Sequence, residues 1–543
     1  MSEPSKKSSA KIIALAAVLA IAASAFFGVS WWEKEQVRRV EETLKTVSGN
    51  AASVKIGFLD KSVAITGLKI NKSFPGEITL VMDVEHVTVS GVNSDALSTK
   101  GVVPLADSVA MSGVTLAFTG PPSSPDTSEN ILKQELSFKS VALTGLRGDF
   151  AGLIAELERG KGIAAQISDP QTLFRFISIA KGFRAASASI TGYEVHQNLE
   201  LSALPWPAVT SIESMQGKDV GLLDFGPSSC KNWNFSVADQ IAMRIETMTL
   251  QRMSIPDIFT SLAAGLTDGQ GAEHADAALA QSVLQTLAKE PLVIQGCVIG
   301  NASLRIMTSE SISLKNFNLD LEFGAEKLAL KHSLDELLIP PSYYRNSDEI
   351  GTLLAQVYGK PLNFSARADL RGSQQNGRVE LRNDIALTEK EFGSVKVNAD
   401  LIASAPGADS LETLLQSSPD WLLKKARFAI EDRKLLETAF VMQHEMLKQS
   451  GIKGLFKSAA DMRANTALQL QQWAAANPNP DVKAVLEGVA RLARQSGILV
   501  ISLNPDRPQF LVNVFDMLMG EGVPGDLRAA AEYTPAEVNT QGR

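Results

Sequence analysis

Val63-Ala64-Ile65-Thr66-Gly67-Leu68 is the first copy of a short phrase on which the fold of this 543-residue chain depends. Apolar and polar residues alternate up to a Thr-Gly step, and an apolar side chain follows. This pattern indicates a β-strand with a bulge or bend at the glycine. Four further copies have their steps at Ser90-Gly91, Ser112-Gly113, Thr144-Gly145 and Thr191-Gly192. Their spacing is irregular, so they predict an extended antiparallel sheet with one covered face, and not a strict solenoid.

Two later segments contain the clearest strands of the chain. Apolar and polar residues alternate over 317–323 and again over 395–401. Strands of a buried parallel sheet are apolar on both faces, so this alternation favours antiparallel strands. Residues with helical spacing separate the strand groups, at 150–183, 258–289 and 348–358.

The carboxyl-terminal part has mainly helical spacing from Leu411 onward. Asp432 is a suitable N-cap for a helix that ends at Gly451, and two more helical stripes follow before Gly497. An apolar strand is predicted over Ile498–Leu503, and composition predicts a frayed, disordered tail from Gly520.

The apolar run from Ile12 to Trp32 contains no charged side chain and is long enough for a helix to cross a bilayer. Lysines precede it, and Ala23-Ser24-Ala25 resembles a signal-peptidase site, so a cleaved export signal is the alternative. The run continues past that site to Trp31-Trp32, and aromatic residues favour the membrane interface. The sequence therefore predicts an uncleaved anchor.

The predicted fold class is α+β: an N-terminal transmembrane helix, then extended antiparallel β-sheet segments interleaved with helical insertions, and a mainly helical C-terminal block. Seven regions are predicted along the chain: a cytoplasmic tail at 1–11, a transmembrane anchor at 12–32, a helical stalk at 33–49, a β-rich repeat-like region with a helical insertion at 50–200, a second β-rich region with helical insertions at 201–410, a mainly helical block with a late strand at 411–519, and a disordered tail at 520–543.

The composition bounds the class of protein. Hydrophobic residues make up 45% of the chain, which is ample for buried cores. The formal charge of -8 is modest, the basic residues are scattered and aromatic residues make up 6%, so no nucleic-acid partner is predicted.

Cys230 and Cys297 are the two cysteines of the chain. In an oxidising compartment they can form a disulfide, whose closed loop would stabilise the fold by roughly 4 kcal/mol in the chain-entropy model. A bridge is possible if the strand-rich segments on either side of 258–289 lie side by side. The alternative is two unrelated buried thiols.

No catalytic or cofactor motif is found. His444-Glu445 resembles half of a zinc-protease motif, but Lys448 stands where the second histidine ligand would have to be. Asp320 and Glu322 lie on one side of a strand, and a solvated strand face explains them. Neither a nucleophile elbow nor a phosphate loop is present. The sequence therefore predicts a protein that is not an enzyme and has no cofactor and no metal.

The opening of the body, Val54–Phe58 followed by Val63–Ile70, resembles AsmA-like envelope proteins of Gram-negative bacteria. The segment Leu362–Ala403, with strand starts at Gly377 and Gly393, is similar in style, whereas the helical block from Leu411 to Gly497 departs from a continuous sheet. The resemblance implies a single-pass anchor in the inner membrane, a large periplasmic body of long sheets, and a role in envelope maintenance or lipid traffic.

The expected function is that of a non-enzymatic, membrane-anchored periplasmic protein that handles lipid or scaffolds an envelope assembly. Its expected partners are the membrane, phospholipid and other envelope proteins. The alternatives are an exported hydrolase and a soluble periplasmic binding protein with a cleaved signal peptide.

Overall fold

Strands account for most of the structure. In this computed structural model, 62% of the described residues lie in strands and 21% in helices. The structure describes residues 37–38, 41, 45, 49–57, 61–74, 78–97, 99–120, 132–152, 179, 181–201, 204–221, 223–257, 286, 290–307, 310–324, 327–345, 347–375, 378–404, 421–452, 454–511 and 527–536. By their contacts the residues form two compact units, one of residues 1–286 with 294–299, and one of residues 287–293 with 300–543.

The first unit contains a long antiparallel sheet. Its strands are β1 (Gly49–Asn50), β2 (Ser53–Gly57), β3 (Ser62–Phe74), β4 (Ile78–Ser90), β5 (Val103–Gly120), β6 (Leu132–Gly148), β7 (Arg184–Leu201), β8 (Leu204–Gly221), β9 (Asp224–Phe225), β10 (Ser228–Val237), β11 (Ile241–Leu250) and β12 (Arg252–Ser254), with part of β13 (Leu292–Ile306). β3 to β8 pair in sequence order, and β10 follows β8. β11 then lies between β10 and β13.

The glycines of the repeated phrase form rows across this sheet. All five have a positive φ, between 57° and 62°. Thr66 pairs with His86 and Leu68 with Val84, so Gly67 and Glu85 face each other as an unpaired couple. A glycine opposite a charged residue, without a register pair, recurs on the following strands, where Gly113 faces both Glu85 and Lys139. The predicted bends are therefore confirmed, and they align from strand to strand.

The aligned bends keep one face of the sheet apolar. In β5 the inward positions just before Gly113 are odd-numbered, at Val109 and Met111, and those after it are even-numbered, as at Val114. The Ser/Thr hydroxyls of the phrase form cross-strand hydrogen bonds, such as Ser140 Oγ to Thr191 Oγ1 at 2.6 Å. Over β3 to β5 the apolar face forms a closed core in which Ile65 and Leu68 are fully buried.

The second unit contains antiparallel strands with helical insertions. Its elements are β14 (Ile312–Phe323), β15 (Lys327–Ile339), α1 (Pro341–Tyr344), α2 (Glu349–Val357), β16 (Leu362–Gln375), β17 (Arg378–Glu389), β18 (Gly393–Ser404), β19 (Trp421–Asp432), α3 (Leu435–Gln449), α4 (Ala459–Ala476), α5 (Pro480–Arg494), β20 (Gly497–Leu503), β21 (Gln509–Phe510) and β22 (Ala529–Pro535). β14 to β20 pair in order, and β22 joins β20.

The predicted fold class is wrong in its carboxyl-terminal part. The mainly helical block at 411–519 is an insertion of α3, α4 and α5 between β19 and β20, which pair directly with each other. Helical spacing dominates this part of the sequence because the three helices are long. The two strands that flank them are far apart in sequence, and local periodicity does not show that such strands pair with each other.

The predicted disordered tail at 520–543 contains β22. Both carboxylate oxygens of Asp481, at the start of α5, accept backbone hydrogen bonds from Leu527 and Ala529, each at 3.1 Å. Leu527 is fully buried. Contacts from a distant helix therefore order this strand, and composition does not report such contacts.

The amino-terminal predictions lie mostly outside the described residues. These are the tail at 1–11, the anchor at 12–32 and most of the stalk at 33–49. Within the part of the chain that the structure describes, no helix combines the length and apolar character needed to cross a bilayer. The helical predictions at 150–183 and 258–289 also fall largely outside it, whereas α2 confirms the helix predicted at 348–358. The predicted boundary at 200/201 falls at the carboxyl-terminal end of β7.

Candidate functional site: an apolar groove

A cavity of about 590 Å³ lies on the apolar face of the first sheet, over β5, β6, β7, β8 and β10. It begins where the closed core of β3 to β5 ends. Met111 and Val114 of β5 are 4% and 1% exposed, whereas the lining residues of β6, β8 and β10 are only half-buried. We call this cavity the groove. Its volume falls within the range of ligand pockets, about 300–1,000 Å³.

Strand register builds the groove from rows of opposed residues. One row contains Met111, Val141, Ile190 and Met215 on four successive strands. A second row, beyond the aligned bends, contains Tyr193, Ile212 and Trp233 on β7, β8 and β10.

The ring of Phe138 extends the second row onto β6, with its centroid 5.4 Å from that of Tyr193. Each row is apolar because the bend at every Ser/Thr-Gly step places the following apolar side chain on the covered face of the sheet again.

Few polar atoms line the groove. Gln134 and Gln197 face each other at one end, and Thr210 lies nearby. Burial raises the pKa of the Tyr193 hydroxyl above its ordinary value, so this group is a neutral donor. Nε1 of Trp233 is buried, and the described residues provide it with no acceptor. Among the described residues that line the groove, none carries a carboxylate, an amine, an imidazole or a thiol.

The structure does not bring Cys230 and Cys297 together. Both are thiols, on β10 and β13, and β11 lies between these strands. Strands two places apart are separated by about 9.5 Å, which exceeds the limit of about 7 Å between the Cα atoms of a disulfide. Cys230 is buried opposite Met215 and Met248, and this burial raises the pKa of its thiol.

The polar candidates from the sequence form no catalytic site. Glu322 pairs with Lys327 at 2.7 Å, and Asp320 lies opposite Lys331. Glu445 pairs with Lys448 at 2.6 Å, and the hydrogen bond from Lys448 lowers the pKa of Glu445.

Only 15% of the His444 side chain is exposed, and this residue lines a smaller pocket at the end of α3. Within the described parts of the chain, no three His, Cys, Asp or Glu side chains are grouped to hold a metal.

Sequence reasoning missed the groove, although its signal was present. Tyr193 follows the glycine of the fifth phrase, and Trp233 occupies the equivalent position after Asn232, whose φ is also positive, at 50°. In both cases an aromatic residue that carries a polar atom directly follows such a bend and lines the groove. Comparison of the chain with protein-family models, with curated proteins and with solved structures gave no match.

Proposed function

We propose that the protein binds the acyl chains of a lipid in the groove and handles that lipid without catalysis. The observation that carries the proposal is the long half-exposed apolar lining, which has no charged group among the described residues. Water in contact with such a surface is unfavourable, and each methylene that replaces it gains about 0.8 kcal/mol.

The solvation free energy of an acyl chain in the groove, compared with that in a bilayer, favours exchange of lipid. An acyl chain in a bilayer is already in an apolar medium, so moving it to the groove changes its solvation little. The groove therefore shields the chain from water without holding it permanently. This property fits lipid traffic better than a resident structural lipid.

The rival hydrolase lacks a chemical basis in the groove. Ester cleavage needs a nucleophile with a base or a metal-bound water. Tyr193 is the one titratable side chain among the described lining residues, and its raised pKa makes it a poor nucleophile.

The proposed location is the periplasmic side of the bacterial inner membrane, with a single-pass anchor at 12–32. This part of the proposal is supported by the sequence, through the apolar run and the Trp31-Trp32 pair. The full chain should stay in the membrane pellet after a carbonate wash. A mature amino terminus at Phe26 would show a cleaved signal instead.

A charge placed in the groove tests the proposal. Met215 lies in the groove, and the next residue of β8, Gln216, is exposed on the opposite face. Met215→Glu should weaken uptake of a pyrene-labelled phosphatidylcholine from vesicles by at least about tenfold, because a buried carboxylate without a partner costs several kcal/mol. Gln216→Glu adds the same charge outside the groove and should leave uptake within about twofold.

Circular dichroism of both variants checks that each is folded. If folded Met215→Glu takes up the lipid as well as the unmodified chain does, the groove is not the binding site. Ile190→Trp, which fills the groove without adding charge, provides a second blocked variant.

A further inference from the structure

Two donors that have no acceptor among the described residues lie on one row of the groove. Tyr193 and Trp233 lie on β7 and β10, and Ile212 of β8 separates them. Nε1 of Trp233 is buried without an acceptor among the described residues. The hydroxyl of Tyr193 likewise has no hydrogen-bond partner within the described parts of the chain, where its ring contacts Phe138. A buried tryptophan N–H normally finds such a partner, and the hydroxyl of the half-buried Tyr193 would need one once a ligand excluded water from the groove.

Pure hydrocarbon cannot satisfy these donors. It would fill the groove and leave both N–H and O–H groups unpaired, which is unfavourable in a dry site. The two strands are about 9.5 Å apart, so two separate acceptors fit better than one. A diacyl lipid carries two ester carbonyl oxygens at the head of its chains.

The remaining lining residues give the ligand a direction. Thr210, Gln134 and Gln197 lie on one side of the Tyr193–Trp233 row. The row that contains Met111 and Met215 lies on the other side and is wholly apolar. The polar end of a lipid therefore belongs toward the glutamines, and its chains toward the methionines.

Resting on the proposed function, we propose that the groove is specific for ester-linked diacyl lipids, with Tyr193 and Trp233 donating hydrogen bonds to the ester carbonyls. Both residues determine specificity and take no part in chemistry. The charged head group lies outside the groove, since its described lining offers no counter-charge.

Competition between two matched lipids tests this assignment. The full chain in mild detergent is mixed with equal amounts of diester-linked and diether-linked phosphatidylcholine of the same chain length, and the bound adducts are counted by native mass spectrometry. The diether lipid lacks only the carbonyl oxygens. We expect the unmodified chain to prefer the diester lipid by about tenfold, the effect of one or two neutral hydrogen bonds.

Variants connect the preference to the two side chains. The double variant Y193F/W233F should bind both lipids equally, and the diether adduct should stay near its original level. Tyr193→Phe alone removes a single oxygen and should reduce the preference by about threefold. Trp206→Phe, on β8 but outside the groove lining, is the matched control and should keep the full preference.

The outcomes separate the two proposals. If the unmodified chain binds neither lipid, the proposed function fails. If it binds both equally, or if folded Y193F/W233F keeps the preference, acyl-chain binding stands and the carbonyl assignment is overturned. If the folded double variant loses both lipids to the same extent, the rings serve only as apolar packing, which also overturns the assignment.

Discussion

Gly393 is the residue at which backbone geometry is most restrictive. It begins β18 with a φ of 131°, and a Cβ atom there would lie 1.8 Å from the carbonyl oxygen of Glu431. Because that neighbour is backbone, no side-chain rotation relieves the contact. Gly393→Ala should lower the free energy of unfolding by about 3 kcal/mol or more, measured by urea denaturation.

Gly454 is the matched control for Gly393. Its φ of 88° also disfavours a side chain, but a Cβ atom there meets nothing within 4 Å. Gly454→Ala should therefore cost only the conformational strain, about 1–2 kcal/mol. Equal losses of unfolding free energy in the two variants would show that the contact with Glu431 does not cause the destabilisation in Gly393→Ala.

Asp400 should make the second sheet sensitive to acid. Its carboxylate accepts from Arg382 Nε at 3.0 Å and from Lys425 Nζ at 3.1 Å, and the Arg382 hydrogen bond is the main cause that lowers its pKa. A lowered folded-state pKa stabilises the fold above the unfolded value of about 3.9, and this contribution is lost as the pH falls through the folded-state pKa.

Thermal melts across pH test this linkage. Arg382 is 67% exposed, so solvent screening keeps this contribution small. Asp400→Asn should melt below the unmodified chain at pH 7, and the difference should shrink as the pH falls through the lowered pKa of Asp400. Asp384→Asn, on the exposed part of the neighbouring β17, is the control and should melt close to the unmodified chain at pH 7. A difference that persists in acid would refute the ionic origin.

Residue patterns predicted the bends but not the groove. The Ser/Thr-Gly steps carry their own signal, because a positive φ favours glycine whatever surrounds it. The groove depends on which residues of five strands become opposed, for example Tyr193 with Ile212 and Ile212 with Trp233. Such register arises from pairing over long sequence separations, and alternation within one strand does not specify it.

At the level of elements, a buried ion pair ties the inserted helices to the sheet. Asp432 ends β19 with 1% of its surface exposed, and its Oδ2 lies 3.4 Å from a guanidinium nitrogen of Arg463 in α4. Arg463 also donates to the carbonyl oxygen of Ala493 at the end of α5, at 2.6 Å. One side chain therefore joins α4, α5 and β19.

Loss of Arg463 should be costly. Arg463→Ala leaves the Asp432 carboxylate buried without its cation, so the free energy of unfolding should fall by about 3–5 kcal/mol in chemical denaturation. Arg491→Ala removes an exposed arginine of α5 and should change it by less than about 1 kcal/mol. A small effect at Arg463 would mean that water replaces the guanidinium group.

Helix prediction was correct for the local position of the helix start but wrong for the place of the helices in the fold. Asp432 was expected to be an N-cap, and its Oδ1 does accept from the backbone nitrogen of Leu436, although the helix begins after Lys434. The expected block, however, is an insertion into a sheet. Three helical stretches in succession make this part of the sequence mainly helical in pattern. The short strand Gly497–Leu503 pairs with β19, which ends before the first of these helices begins, so its place in the sheet cannot be inferred from local pattern.

For the molecule as a whole, the antiparallel strands followed from the sequence, whereas the mainly helical carboxyl-terminal block was wrong. The sequence also did not show that the described residues lining the groove carry no charge. AsmA-like resemblance and the membrane anchor at 12–32 stay predictions. The proposed point of lipid contact is the groove of the first unit, whether or not the anchor is cleaved.

Photo-crosslinking tests the lipid claim most directly. The full chain is exposed to phosphatidylcholine that carries a diazirine on one acyl chain, irradiated, digested and mapped by mass spectrometry. We expect labels on groove residues of β6, β7 and β8, such as Val141, Ile190 and Met215. These labels should be lost in Met215→Glu but not in Gln216→Glu. Labels confined to 12–32 or to the second unit, or labels in the groove that Met215→Glu leaves unchanged, would contradict the lipid claim.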